Sequence, residues 1–366
     1  MIYERADSQL MRIMAPINKV SEAAAVIQSG AQEIYCGVMP KTWLKNYTNT
    51  ASPNRRQWRS ANLEDFLELK EVVRIAHDLG GQVHFALNEF YTSSQMHSIL
   101  EQLEQALESG VDALIIVDLG LLNELRKRGN PCAIHIGTGG TSFNSQTISF
   151  YREQGADRII IPRHVFPKDL ARIGEKISLQ NLEVFIMNAG CKNIDGMCTF
   201  HHGVNELLKG PTWHYLKKFN IDFAMQNFWR RLPLPLARAM ARSSIFGHVD
   251  ACFLSYDIQA ASDEWRENQK AQAKCFVAST FDLLTGIDTC GACAIFDFAQ
   301  TGINLFKIVG RNFTTQRKIN DVTFIRSCLD FLEKALPSKE EYQKFARNRY
   351  QEIYKLSCSD NCYYPE

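Results

Sequence analysis

Two cysteines with the character of metal ligands follow an apolar segment near the middle of the chain. Residues 182–187 form a short β-favouring run, which predicts a strand. Residues 188–190 interrupt it, and Cys191 and Cys198 follow with six residues between them. Thiols just past a strand end, in a chain without a secretory signal, favour a metal or cluster site over a disulfide. The alternative is that both are small buried hydrophobic side chains.

Further cysteines downstream supply the missing ligands of such a site. Cys252 is followed by Cys290 and Cys293 in a Cys-Gly-Ala-Cys sequence, so Cys252 and one of the pair would complete a four-thiolate set. Four cysteines can hold zinc or a 4Fe-4S cluster. The gaps of six, fifty-three and thirty-seven residues require a folded scaffold to gather the ligands, which favours the cluster over zinc. Cys358 and Cys362 also have ligand-like spacing, and any role for them or for Cys293 stays open.

The segments that must position these residues alternate between strand and helix patterns. Eight strands are predicted, with helical patterns between most of them, and this order indicates a (β/α)8 TIM-barrel-like α/β fold. A doubly wound open sheet is the alternative. The predicted strands are 12–16, 33–38, 82–88, 112–118, 132–137, 157–162, 182–187 and 302–310. The predicted helices are 20–30, 63–79 (capped by Ser60 or Asn62), 94–109, 119–128, 146–154, 168–177, 294–301, 319–336 and 340–356, and 39–61 reads as a loop.

The pattern divides the chain into four parts. Residues 1–202 hold the first seven β/α units, 203–250 form a helical insertion, 251–312 carry the last cluster ligands and the closing strand, and 313–366 hold two helices and a cysteine-containing tail. The insertion has seven Lys and Arg against three Asp and Glu, with many aromatic residues. It could bind a flat or anionic substrate or single-stranded nucleic acid, but a lid whose aromatic residues pack on the barrel is favoured.

Composition excludes several classes of protein. The net charge is +1, from 41 basic and 40 acidic residues, so no polyanionic partner is implied by charge alone. The sequence contains no apolar run of membrane-spanning length, and residues 1–7 lack the apolar part of a signal peptide. Eleven cysteines are an odd number for full disulfide pairing, and the sequence therefore predicts a cytoplasmic protein.

Several motifs together resemble the peptidase U32 family over most of the chain. They are Met14-Ala-Pro16, the segment from Ser29 to Gly37, Phe85-Ala-Leu-Asn88, residues 111–118 and 155–163, the Cys191 and Cys198 signature, and Leu305-Phe-Lys-Ile-Val-Gly-Arg311. In that family the fourth cluster cysteine lies seventeen residues before the lysine that matches Lys307. The resemblance therefore implies a 4Fe-4S cluster on Cys191, Cys198, Cys252 and Cys290, with zinc as the alternative.

The chain departs from the family pattern around the mouth of the site. Met187-Asn188 stands where the family has His-Gly, and Arg163-His164 where it has Arg-Glu. The gap between the second and third cysteines is also much longer. These changes leave all four thiols in place but alter residues that would surround a substrate.

The resemblance implies an oxygen-independent hydroxylation of an aromatic ring or nucleobase, of the ubiquinone-precursor or RNA type. The expected partners are a small aromatic substrate or RNA, an electron donor and a protein subunit. The residues expected to hold the substrate at strand ends are Asn88, Asp118, Arg163 and His164. Arg163 and Arg311 are expected to pair with carboxylates, although strand ends are often polar simply because loops begin there.

Two other functions stand beside this one. The family name implies a peptidase, but the sequence contains neither His-Glu-x-x-His nor Gly-x-Ser-x-Gly. Cys191 as a nucleophile with His201 or His202 would compete with cluster ligation. The second alternative is a non-catalytic iron–sulfur subunit that supports another protein.

Overall fold

The structure is a computed structural model. It describes residues 11–47, 52–56, 61–191, 194–197, 255–257, 280–282, 284–286, 289–358 and 362–365. The insertion predicted at 203–250 lies outside these residues. Among the described helices, none is both long and apolar enough to cross a membrane.

Eight parallel strands close into a barrel, which confirms the predicted fold. The barrel order is β1-β12-β7-β6-β5-β4-β3-β2, and the pairing of β1 with both β12 and β2 rules out the open sheet. The strands are β1 (Arg12–Pro16), β2 (Glu33–Cys36), β3 (Gln82–Leu87), β4 (Ala113–Ile116), β5 (Ala133–Ile136), β6 (Arg158–Ile160), β7 (Leu182–Met187), the short β8 (Gly190–Cys191), β9 (Ser255–Asp257), β10 (Thr280–Asp282) and β11 (Leu284–Gly286), and β12 (Leu305–Ile308).

Helices surround the barrel, most of them where the sequence pattern places them. They are α1 (Ala23–Gln28), α2 (Lys41–Asn46), α3 (Phe66–Asp78), α4 (Ser93–Glu108), α5 (Leu119–Lys127), α6 (Ser145–Glu153), α7 (Pro167–Gly174), α8 (Ile295–Gln300), α9 (Thr315–Ala335) and α10 (Lys339–Tyr354). β4 is buried along its whole length because a parallel strand is covered by helices outside and by the barrel interior inside.

Two local predictions are wrong. Helix α3 is capped by Asp65, whose carboxylate accepts the N–H groups of Leu67 and Glu68, because the side chain of Asn62 is used elsewhere: it donates to the carbonyl of Arg56 at 2.6 Å. The segment 39–61, predicted as a loop, contains α2. This helix forms because it buries Trp43, which is 1% exposed, a tertiary effect that local polarity does not reveal.

The barrel interior contains a buried ionic network that the strand pattern did not predict. Arg158 donates to Glu33 at 2.8 Å and to Glu183 at 2.9 Å, and Lys307 lies 3.1 Å from Glu183. All four are nearly inaccessible to solvent. A buried charge is tolerated only when it is paired, so each strand that contributes one depends on the others to complete the core.

Helices α9 and α10 pack on each other and cover the barrel beside β1. Lys318 of α9 is buried and pairs with Glu22 at 2.7 Å. After α10 the chain returns to the barrel, where Tyr363 and Tyr364 are each 7% exposed. The tail is therefore part of the packed structure.

Candidate active site at the carboxyl ends of the strands

A sharp turn after β7 brings Cys191 and Cys290 to the same end of the barrel. Asn188 and Ala189 have φ values of 69° and 49°, a left-handed conformation that redirects the chain and that non-glycine residues seldom adopt. Cys191 then pairs with the short strand β11. Cys290 pairs with Met187, the last residue of β7.

Backbone and side-chain bonds of Thr289 join the two cysteine segments. The N–H of Asn188 donates to the carbonyl of Thr289 at 2.7 Å, and the N–H of Gly190 donates to its hydroxyl at 3.2 Å. Two thiols that lie 99 positions apart in the sequence are thereby held against one strand end.

Asn188 anchors this turn to helix α9. Its side-chain amide donates to the carbonyl of Val309 at 3.1 Å and to Asp321 at 2.7 Å, and its oxygen accepts from Arg317 at 3.1 Å. The residue is completely buried. In the sequence, Asn188 is recognisable as the start of the break after the strand and as a departure from the family pattern. Its anchoring role becomes visible once β7, β12 and α9 are placed together.

The other two predicted cluster ligands, Cys198 and Cys252, lie outside the described residues. In the part of the chain that the structure describes, no group of three Cys, His, Asp or Glu side chains is placed to hold a metal ion. The two described thiols nevertheless fit a cluster in their chemistry. Cys290 Sγ accepts the N–H of Ala292 at 3.5 Å, the kind of bond that stabilises a thiolate ligand.

Arg163 lies near Cys191, with a carboxylate of the protein already paired to it. Its guanidinium and backbone N–H both bond to Asp195, and its charge lies 4.2 Å above the ring of Phe185. Burial alone would lower the pKa of Arg163, but Asp195, Tyr363 and Cys191 together outweigh burial and raise that pKa. Asp195 therefore occupies the position expected for a substrate carboxylate. The Asp-Gly pair at 195–196 is a turn signal in the sequence, but it predicts only the turn and not the ion pair with Arg163.

Arg311 is also held by the protein. Its guanidinium donates to the carbonyl of Asn54 at 2.8 Å and reaches the side chain of Asn62 at 3.4 Å. Burial lowers the pKa of Arg311 to about 10. These donors hold Asn54 and Asn62 at the barrel mouth. The expected bond to a substrate carboxylate would have to replace one of these contacts.

The remaining predicted site residues differ in what they contact. Asp118 caps α5: its carboxylate accepts the N–H groups of Leu121 at 2.8 Å and Tyr91 at 3.1 Å. By contrast, Asn88 Oδ1 and His164 Nδ1 are buried and have no hydrogen-bond partner among the described residues. Buried polar atoms are nearly always paired, so a ligand could satisfy these two and also Arg163 Nε, which is likewise buried without a hydrogen-bond partner among the described residues. A catalytic role for any of the predicted site residues stays a prediction.

His164 also lines a pocket of about 270 Å³ at the start of α6 and along α7. Its wall includes Phe143, Asp169, Arg172 and Lys176. The combination of an aromatic ring with two cationic side chains suits a flat anionic ligand.

The closed parallel barrel and the cysteines at its carboxyl end belong to a chain that matches a known protein family. The model of peptidase family U32 matches residues 18–208, slightly more than half of the sequence. The chain belongs to this family.

Three relatives show how far the similarity extends. The chain is 24% identical over 194 residues to tRNA hydroxylation protein P of Haemophilus influenzae, covering 53% of this chain and 39% of that protein. It is 28% identical over 197 residues to an uncharacterized protease of Methanocaldococcus jannaschii, covering 52% and 43%. It is 25% identical over 195 residues to a 23S rRNA 5-hydroxycytidine synthase of Escherichia coli, covering 53% and 27%. The matched region spans less than half the length of each relative.

Proposed function

We propose that the chain binds a 4Fe-4S cluster through Cys191, Cys198, Cys252 and Cys290 and catalyses or supports the oxygen-independent hydroxylation of a nucleobase in RNA. The observation that carries this proposal is the meeting of Cys191 and Cys290 at the end of β7. The names of the tRNA and rRNA relatives support an RNA base as substrate. An aromatic ubiquinone precursor is the second substrate class.

The cluster, when bound, would supply one-electron transfer beside the substrate. The chain's own residues would orient the base. Asn88 Oδ1 can accept a hydrogen bond, and His164 Nδ1 can donate or accept one according to its tautomer. Arg163, fixed by Asp195, would place a positive charge near developing negative charge without having to move.

Two cationic side chains favour RNA over a small quinone precursor, although Asp169 lies in the same pocket wall. Arg172 and Lys176 flank the pocket that contains His164, and cations beside a base pocket can contact phosphates. The basic and aromatic composition of 203–250 agrees with a single-stranded substrate, although that segment lies outside the described residues. An RNA substrate would place the protein in the cytoplasm, with a separate electron-transfer partner that takes up the two electrons released by hydroxylation.

Two alternatives stand beside this proposal, and the first has specific support. The protease relative and the family name favour a hydrolase, in which Cys191 would act with His201 or His202, both outside the described residues. A non-catalytic iron–sulfur subunit would retain the cluster and show activity only with a partner protein. Activity of the purified chain, measured with and without copurified proteins, distinguishes an enzyme that is active alone from a subunit that needs a partner.

The test is hydroxylation of RNA from cells that lack this protein. Without O2, cluster-loaded protein supplied with a two-electron acceptor, and with water as the oxygen source, should produce nucleosides heavier by one oxygen atom (C–H + H2O → C–OH + 2 H+ + 2 e−), detected by mass spectrometry. Asn88→Ala should reduce the yield at least about tenfold, the cost of one lost polar contact, whereas Asn130→Ala, at an exposed loop, should not change it. Peptide cleavage without any hydroxylated nucleoside would contradict the proposal and favour the hydrolase.

A further inference from the structure

The segment 52–56 lies at the barrel mouth and is held there by buried contacts. Asn54 is completely buried, and its side-chain amide donates to the carbonyl of Val38 at 3.1 Å. The carbonyl of Pro53 accepts the hydroxyl of Tyr91 at 2.6 Å. Because Val38 follows β2 and Tyr91 follows β3, the segment is fixed to the carboxyl ends of two neighbouring strands.

This anchoring places the guanidinium of Arg55 against the turn after β5. Ser52 Oγ accepts the N–H groups of Asn54 at 3.2 Å and of Arg56 at 2.7 Å. Between them Arg55 adopts a left-handed φ of 59°, which a non-glycine residue keeps only where its surroundings enforce it. A Cβ added to Gly139 would lie 3.1 Å from Arg55 Nη1. Arg55 is half-buried, and among the described residues no carboxylate forms an ion pair with it.

Two apolar side chains are exposed at the same edge of the mouth. The N–H of Tyr91 donates to Asp118 at 3.1 Å, which joins the loop after β3 to the start of α5. The residues on either side of this bond, Phe90 and Leu119, are 54% and 51% exposed. Tyr91 also bonds to the segment 52–56, so the exposed ring and the guanidinium of that segment belong to one edge. A ring held on a fixed backbone offers its flat face to a ligand.

The charges at this edge favour an anionic ligand. Arg311 donates to the segment 52–56 at 2.8 Å and adds a second positive charge beside Arg55. Among the described residues it too has no carboxylate partner. The nearby carboxylate of Glu89 accepts a backbone N–H at 3.0 Å, and that of Asp118 accepts two. Both negative charges are thus partly neutralised by the backbone.

We propose, resting on the RNA substrate proposed above, that this edge binds the single strand beside the target base. Phe90 stacks on a neighbouring base, Leu119 widens that apolar face, and Arg55 contacts a phosphate. Aromatic faces combined with cations are the means by which proteins hold single-stranded nucleic acid. Asn88 stands two positions before Phe90, and its buried Oδ1 has no partner among the described residues. A base stacked on Phe90 is therefore next to the nucleotide that Asn88 orients.

The test is the binding of a fluorescein-labelled single-stranded RNA of about twelve nucleotides to the full chain, followed by fluorescence anisotropy at several salt concentrations. Phe90→Ala should weaken binding about tenfold at every salt concentration. Phe150→Ala is the matched control, because it removes a ring that is 42% exposed on the outer helix α6, and it should leave binding unchanged. Unchanged affinity in Phe90→Ala would overturn the proposal.

The salt dependence tests the phosphate contact separately. Arg55→Gln should reduce the slope of log affinity against log salt by about 0.7, the contribution of one phosphate on a single strand. Arg74→Gln, at an exposed arginine of α3 that pairs with Glu71 and Asp78, should leave the slope unchanged. Arg55→Lys keeps the charge and should keep the slope. An unchanged slope in Arg55→Gln, or an equal fall in Arg55→Lys, would overturn the phosphate contact.

The binding assay contains no electron acceptor, so the failure of this proposal is distinguishable from the failure of the hydroxylase. RNA binding that depends on Phe90 and Arg55, without any hydroxylated nucleoside, would support this edge and contradict the hydroxylase. Wild-type yield of hydroxylated nucleoside from both variants at limiting RNA would overturn this edge and leave the hydroxylase standing. A wild-type chain that does not bind the RNA would also overturn it.

Discussion

At the scale of single residues, one buried amide joins the end of β7 to helix α9. Asn188 adopts a left-handed conformation and bonds to Val309, Asp321 and Arg317. Asparagine tolerates this conformation better than most residues, and its amide both donates and accepts. The residue thus satisfies a backbone requirement and a hydrogen-bonding requirement together.

Asn188→Ala should lower the free energy of unfolding by about 2 kcal/mol or more, because it leaves the buried partners unsatisfied. Asn130→Ala is the matched control, since Asn130 is also left-handed, with φ of 51°, but exposed. Urea unfolding of both variants measures the difference. Equal losses would mean that backbone strain alone, and not the side-chain bonds, explains Asn188.

A buried thiol should make the free energy of unfolding fall as the pH becomes alkaline. Burial raises the pKa of Cys36 to about 12 from an unfolded value of 9.0. Above pH 9 the unfolded state loses this proton while the folded state keeps it, so stability falls as pH rises from 9 to 12. The expected slope from this thiol is about 1.4 kcal/mol per pH unit.

Urea unfolding at several pH values between 8 and 11 under reducing conditions checks this expectation. Cys36→Ala should remove that part of the slope. Cys132→Ala should change the slope only between about pH 9 and pH 11, because burial raises the pKa of Cys132 only to about 11. An unchanged slope in Cys36→Ala would show that the thiol is not buried as described.

At the scale of elements, the barrel strands follow the sequence closely because each is rich in apolar residues that must be buried on both faces. Predicted 12–16 and 182–187 coincide with β1 and β7, and the closing strand, predicted at 302–310, is Leu305–Ile308. Helix α2 escaped prediction because its stability comes from burial of Trp43. Local propensity is a weak guide where tertiary packing decides.

The turn after Cys191 depends on a glycine. Gly196 has φ of +87°, and an added Cβ would overlap Thr141 Cγ2 and lie 2.9 Å from the carbonyl oxygen of Gly139. Gly196→Ala should therefore displace the turn that carries Asp195, which pairs with Arg163, and lower both stability and iron incorporation.

Gly129→Ala provides the control for this substitution. Gly129 has a similar φ of +77°, but an added Cβ would meet nothing within 4 Å. It should cost only the backbone strain, about 1 kcal/mol, and leave iron incorporation unchanged. The same iron content in the two variants would show that the turn at Gly196 does not shape the site.

At the scale of the whole molecule, the contacts that complete the site connect distant parts of the sequence. Sequence patterns could identify Arg163 and Cys290 because each adjoins a recognisable element. They could not assign Asp195 to Arg163, or Tyr363 to the end of β7, because those contacts depend on the closed barrel. The ionic network of Arg158, Glu33 and Glu183 is hidden for the same reason, since its members lie on three different strands.

The central claim is that Cys191 and Cys290 bind an iron–sulfur cluster, and the most direct test is the iron and acid-labile sulfide content of protein purified without oxygen. The wild-type chain should contain about four of each, with absorption in the visible blue. Cys191→Ser and Cys290→Ser should each lose most of the iron, whereas Cys132→Ser should retain it. Zinc or no metal in the wild type, or full iron content in both ligand variants, would contradict the account.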